Sequence, residues 1–149
     1  MTLAYNLSSE FGAVLERAEE FHGHLGPFLV IGVRIGLVGL DEIEAAEDSS
    51  LTVAASLPLR VPFSCIIDGL QITTRCTIGN QKLSVKDSSE IRAEFKRKND
   101  GRKVVVALNQ RMFEKLKSQL LQERLSDEEV RQLAWKVAAI PQEELLVVT

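Results

Sequence analysis

The stretch from Leu25 to Leu40 constrains this chain more than any other. Its 16 residues are apolar except for Arg34, and four of them are glycine. A bilayer crossing needs roughly 20 residues, and a charge inside one is costly. The run therefore reads as a buried helix, apolar nearly all round. It starts near Pro27, a residue suited to a helical first turn. Gly32 and Gly36 share one face of it, where another backbone can approach closely. Whatever else the chain does, it must wrap other elements around this helix. Its 149 residues suffice for one domain with a real core and are too few for two.

The remaining elements follow from local pattern. Residues 8–21 read as a helix with Phe11, Val14, Leu15 and Ala18 on one stripe and Ser8 or Ser9 as its cap. Asp41 to Ser50 is an acidic connector with five acids and no base. Leu51, Val53, Ala55 and Leu57 alternate with smaller or polar residues, which predicts a strand over 51–57, ended by Pro58 and Pro62. Residues 63–74 read as a third helix carrying Cys65, Asp68 and Ile72 on one face. A turn at Gly79-Asn80-Gln81 leads to a short strand, Lys82–Lys86. Ile91–Lys98 and Arg102–Leu108 are strands joined through Asn99-Asp100-Gly101, a strong hairpin signal.

Residues 110–122 form a basic amphipathic helix. Ser126 to Glu129 is a capping box opening a last helix, with Val130, Leu133, Ala134 and Val137 inside and Pro141 as its stop. Trp135 falls off that apolar stripe, so it either anchors a partner or packs under the C-terminal tail, which ends in Leu145–Val148. The class is α+β, helices packed on a small, mainly antiparallel sheet.

Charge and cysteine content narrow the function. The net charge is −3 and the pI near 5.5, so no global basicity points to nucleic acid or an anionic membrane. The six bases between Ile91 and Lys103, against Glu94 and Asp100, read as a solvated hairpin face. No base precedes Arg17, so a secretory leader is not expected; the chain reads as cytoplasmic with its two thiols reduced.

Two constellations carry chemistry. Both histidines of the protein, His22 and His24, flank Gly23 where one helix ends and the apolar one begins. A helix N-terminus there suits an anion or an oxygen ligand. The imidazoles serve either as ligands or as caps on local backbone. Cys65 and Asp68, three apart, are neighbours on a helix surface, with Cys76 further on. Thiolate and imidazole are ligands for zinc or a similar metal, and Asp68 suits a ligand, a residue orienting a histidine, or a general base. Taken alone, either cysteine reads as buried core. In one continuous helix the two thiols would lie about 16 Å apart along the axis, too far for one ion. Either the helix ends before Cys76 and the chain turns back, or the thiols serve different sites, or a second copy of the chain supplies one.

Together these residues resemble a known family. Phe21 to Pro27, followed by Gly32-Val33-Arg34, resembles the opening motif of the FmdE-like family, which takes its name from a component of formylmethanofuran dehydrogenase. Cys65-Ile66-Ile67-Asp68 with Gln71, then Thr74 to Gly79 and Leu83, resembles its second motif. The resemblance covers roughly residues 10–110 of a single domain, with C-terminal helices over 110–141. It implies an intertwined homodimer and a polar pocket in which His22, His24, Cys65 and Cys76 hold a divalent metal, most simply zinc. Asp68 and Cys65 become the catalytic candidates, with Arg34 and Gln71 behind them. An oxidoreductase complex of one-carbon redox metabolism, as in methanogenesis, is the implied partner; neither nucleic acid nor membrane is. Three departures stand out. The family's first cysteine is Gly26 here, the glycine before its second-motif cysteine is Arg75, and the cysteine-rich zinc module of some members is absent.

Two other readings stand beside the metal site. One is metal-free thiol chemistry, with Cys65 or Cys76 activated by a histidine or Arg75. The other is a non-catalytic binding module whose site has decayed at Gly26. The dimer is expected for a further reason: a lone chain has few elements to cover an all-round apolar helix and the 145–148 run.

Overall fold

Around the apolar run the chain builds, in order, α1 (Ser9–His22), α2 (Pro27–Glu42), β1 (Leu51–Leu57), α3 (Cys65–Thr74), β2 (Leu83–Asp87), β3 (Arg92–Arg97), β4 (Lys103–Leu108), α4 (Gln110–Gln122), α5 (Asp127–Ala139), the single turn α6 (Gln142–Leu145) and β5 (Leu146–Val148). The computed structural model describes residues 9–45 and 50–149. Ser8 and part of the acidic connector, 46–49, lie outside the described residues; Asp41 and Glu42 belong to the end of α2.

α2 is the hub. Every residue from Pro27 to Gly36 is buried, covered by α1, α3 and α5 and by the sheet at β3 and β4. The close approach expected at its glycines is made by α3 of the same chain. A Cβ at Gly32 would lie 2.4 Å from the Ile66 carbonyl oxygen, and one at Gly69 would lie 2.6 Å from the Val33 nitrogen. The two backbones touch at this crossing, and only glycine permits it. A single chain thus covers α2 from Pro27 to Gly36, while Leu37 and Leu40 stay half-buried.

The sheet order is β2-β1-β3-β4-β5. β1 pairs with β2 in parallel, because α3 crosses over between them; the other pairings are antiparallel. Val53, Phe95 and Val104 stand in register on the helix-covered face, with Ala55, Ala93 and Val106 beside them. The opposite face, along Ala54, Glu94 and Val105, is not buried.

The C-terminal run differs from expectation. Residues 146–148 form an edge strand on β4, burying Leu145 and Leu146 within the chain. Trp135 stays 39% exposed and lines a cleft against α1, not the tail. The capping box forms as expected: the Ser126 N–H donates to Glu129 Oε1 (3.0 Å) and the Glu129 N–H to Ser126 Oγ (3.1 Å). No helix among the described residues is long and apolar enough to cross a membrane.

Candidate functional site

The site forms where α1 stops. Gly23 adopts φ +104, and its N–H donates to the Glu19 carbonyl (2.7 Å), the usual glycine stop of a helix. The chain then reverses through His24 and Leu25, and Pro27 starts α2. This leaves His22 at the last turn of α1, facing α3, and His24 one residue beyond the stop. Their rings lie 4.8 Å apart, tilted by 39°. His22 is largely covered, whereas His24 is exposed.

On α3 the spacing of Cys65, Asp68 and Gln71 places three side chains on successive turns of one face. His22 Nδ1 donates to Asp68 Oδ2 at 2.6 Å. Gln71 Nε2 donates to Asp68 Oδ1 at 3.3 Å, and Gln71 Oε1 accepts the Ile78 N–H at 3.0 Å. Asp68 is thus held from one side and orients the imidazole on the other. Among the described residues, the buried His22 Nε2 finds no hydrogen-bond partner. A buried unpaired polar atom costs about 1–3 kcal/mol, so such an atom asks for a ligand. With Nδ1 given to a carboxylate, a neutral ring turns its lone pair to Nε2, the arrangement used by metal-binding and proton-accepting histidines.

The two thiols part company. Cys65 starts α3 beside Asp68; burial first, and the Asp68 charge second, push its pKa up. Cys76 lies past the other end of α3. Its Sγ donates to the Leu51 carbonyl (3.4 Å) at the start of β1. Burial pushes its pKa up as well, against smaller opposing effects from Thr74 and Lys82. Within one chain the two thiols lie in different places, at opposite ends of α3. Burial thus disfavours the thiolate at both positions, and the cation that acts on Cys76 is Lys82.

Arg34 does not stand behind this pocket either. Its Nη1 donates to the carbonyls of Val137 (3.0 Å) and Ile140, closing the C-terminus of α5. Burial lowers its pKa to about 10, with Glu143 opposing, so it stays charged near neutrality. Gln71 does stand behind Asp68, as expected.

Among the described residues, no three His, Cys, Asp or Glu side chains converge to hold a metal. The chain fits one oriented imidazole position with a second ring beside it, and not a His₂Cys₂ set. Gly26 shows what is missing. A Cβ there would meet His24 Nε2 at 3.6 Å, an ordinary contact, so a cysteine at this place would stand beside the His24 ring.

Residues 21–147 match the family model FmdE, molybdenum formylmethanofuran dehydrogenase operon. The chain belongs to the FmdE family. That span takes in both His/Cys motifs and the C-terminal helices. The chain is also 30% identical, over 159 aligned positions and 95% of its length, to a probable S-adenosyl-L-methionine-binding protein of Archaeoglobus fulgidus. It spans only 43% of that curated relative. The crystal structure of an FmdE-like protein of tungsten formylmethanofuran dehydrogenase type, from Syntrophus aciditrophicus, shares the fold, with a TM-score of 0.54 and 23% identity over 93% of this chain and 70% of that one. Arg75, one of the departures from the motif, stands at a constrained backbone position. It sits at φ +60 just past α3, in the left-handed region where the family's glycine is at ease.

Asn80 is a residue that the motifs do not single out. Its Oδ1 accepts the Thr77 N–H (2.9 Å), and its Nδ2 donates to the Arg75 carbonyl (2.8 Å), fixing the loop that carries Cys76 and Ile78. The Gly79-Asn80 turn is the one signal of it in the sequence.

Proposed function

We propose that this FmdE-family chain binds a divalent transition metal, zinc in the first instance, at His22 and His24, as part of one-carbon redox metabolism. The observation that carries the reading is the buried, unpartnered Nε2 of His22, with Asp68 holding the other ring nitrogen. His22 would hold the metal, with His24 beside it. Positions left open would take water, a substrate atom, or a group from a second copy or an oxidoreductase partner. A bound metal of this kind supplies Lewis acidity. Asp68 keeps the imidazole in one tautomer and orientation, and Gln71 keeps Asp68 in place. Cys65 enters as the thiol on the same face of α3.

Zinc titration of tag-free protein, read by elemental analysis after desalting, tests this reading. About one equivalent per chain is expected; less than about a tenth, with no uptake on titration, overturns it.

A homodimer belongs to the same proposal. It rests on Trp135 and Val147, which stay 39% and 46% exposed, and on the uncovered sheet face. Sedimentation equilibrium giving a mass near 16.5 kDa that does not change with dilution would overturn it.

A second reading follows from the Archaeoglobus relative: binding of S-adenosyl-L-methionine by the part of that protein this chain matches. Calorimetric titration with that compound distinguishes it, since uptake without added metal is expected here and not in the zinc reading.

A further inference from the structure

One cleft carries charge that the His22–Asp68 pair does not use. It encloses about 450 Å³ between α1 and α3, with Val14 and Arg17 on one wall, Leu37 at the back, and Gln71, Ile72 and Arg75 on the other wall. A cleft of this size suits a small molecule. Among the described residues, neither the Arg17 nor the Arg75 guanidinium has an acidic or hydrogen-bonding partner. Both side chains are exposed and no acid lines the cleft, so an anion bound there is attracted by both. A guanidinium is also the side chain best shaped to grip an oxyanion through paired N–H groups.

Arg75 is held in place unusually firmly. A non-glycine residue at φ +60 is strained, because its Cβ crowds the following carbonyl oxygen, and such strain survives where the surroundings enforce it. Here the Arg75 N–H donates to the Gln71 carbonyl (3.1 Å) and Asn80 Nδ2 to the Arg75 carbonyl (2.8 Å). The Cys76 N–H donates to Thr74 Oγ1 (3.0 Å) and the Ile78 N–H to Gln71 Oε1 (3.0 Å). The guanidinium thus springs from a fixed point, at a position where glycine would relieve the strain. Val14, Leu37 and Ile72 give the cleft an apolar lining for the rest of a ligand.

We propose that this cleft binds a small organic oxyanion, a phosphate- or carboxylate-bearing molecule with an apolar body, whose charged group is gripped by Arg17 and Arg75. The site does not depend on metal at His22; Gln71 is the residue the two share. Calorimetric titration at low ionic strength with phenyl phosphate, benzoate and inorganic phosphate tests it. One organic anion is expected to bind one per chain, and inorganic phosphate more weakly because it lacks the apolar body. The tighter of phenyl phosphate and benzoate assigns the charged group.

Arg75→Gly should weaken that binding at least tenfold while the melting temperature holds or rises. Arg17→Gln should weaken it in the same direction. No binding of either organic anion by the unaltered protein at millimolar concentration overturns the proposal. So does unaltered affinity in both variants. A lower melting temperature in Arg75→Gly with unchanged affinity would make Arg75 a structural cap on α3, which also overturns it.

Discussion

Helix α3 has a cysteine at each end, and the two ends are built differently. At the Cys76 end, polar groups find partners within the chain: Sγ on the Leu51 carbonyl, the Cys76 N–H on Thr74, the loop on Asn80. At the Cys65 end, Asp68 and His22 hold each other, and the buried His22 Nε2 finds no partner among the described residues. The same residue type is structural at one end and stands beside an unfinished site at the other. Residue identity does not separate the two; the unsatisfied atom does. Between them, the crossing at Gly32 and Gly69 locks α3 onto α2, so the ends cannot adjust independently.

The largest expected effect comes from breaking that lock. Gly69→Ala drives a methyl into the backbone of α2 and should cost about 3 kcal/mol, the upper range for overpacking, read by urea unfolding. It should also loosen the His22–Asp68 contact; a variant that folds as stably as the parent would break the account of the crossing. Next, Gly26→Cys should sharpen the Cys65 end. Its backbone at φ −129 admits any residue, and its new sulfur would stand beside His24, so zinc affinity should rise at least tenfold by competition titration.

Cys76→Ala should remove buried volume and one weak hydrogen bond, lowering stability by roughly 1 kcal/mol while leaving zinc uptake intact. It should also change the response to alkali. The ordinary thiol value is 9.0, and folded Cys76 lies above it because burial disfavours the thiolate. The folded state therefore keeps a proton that the unfolded chain gives up. The associated stability is fully present below about pH 9 and is lost as pH rises through the folded value. Urea unfolding at pH 8 and pH 10 should show a steeper fall for the parent than for Cys76→Ala. The smallest effect is expected from His22→Ala, within about 1 kcal/mol, because the lost contact to Asp68 is offset by removal of an unpaired buried nitrogen.

Much of this architecture is legible along the chain. α1, β1, the β3–β4 hairpin and the Ser126 capping box are written in local period and turn chemistry, and each forms within a residue or two of its expected bounds. The burial of α2 is equally readable, but what covers it is not. Gly32 and Gly36 announce a close neighbour without saying that it is α3. β5 is too short to show a period, and its pairing with β4 depends on where the tail lands. Of the site, the two motifs put His22, His24, Cys65, Asp68, Gln71, Arg34 and Cys76 around one pocket, and Arg34 and Cys76 turn elsewhere. The directions of Arg34 and Cys76 depend on α5 and β1, elements 103 and 25 residues away in sequence, and no local pattern encodes them.

Zinc uptake by His22→Ala and Cys76→Ala, compared side by side at equal protein concentration, separates the two ends of α3. Cys76→Ala is expected to retain about one equivalent per chain and His22→Ala almost none. Loss of uptake in Cys76→Ala with retention in His22→Ala would contradict this expectation.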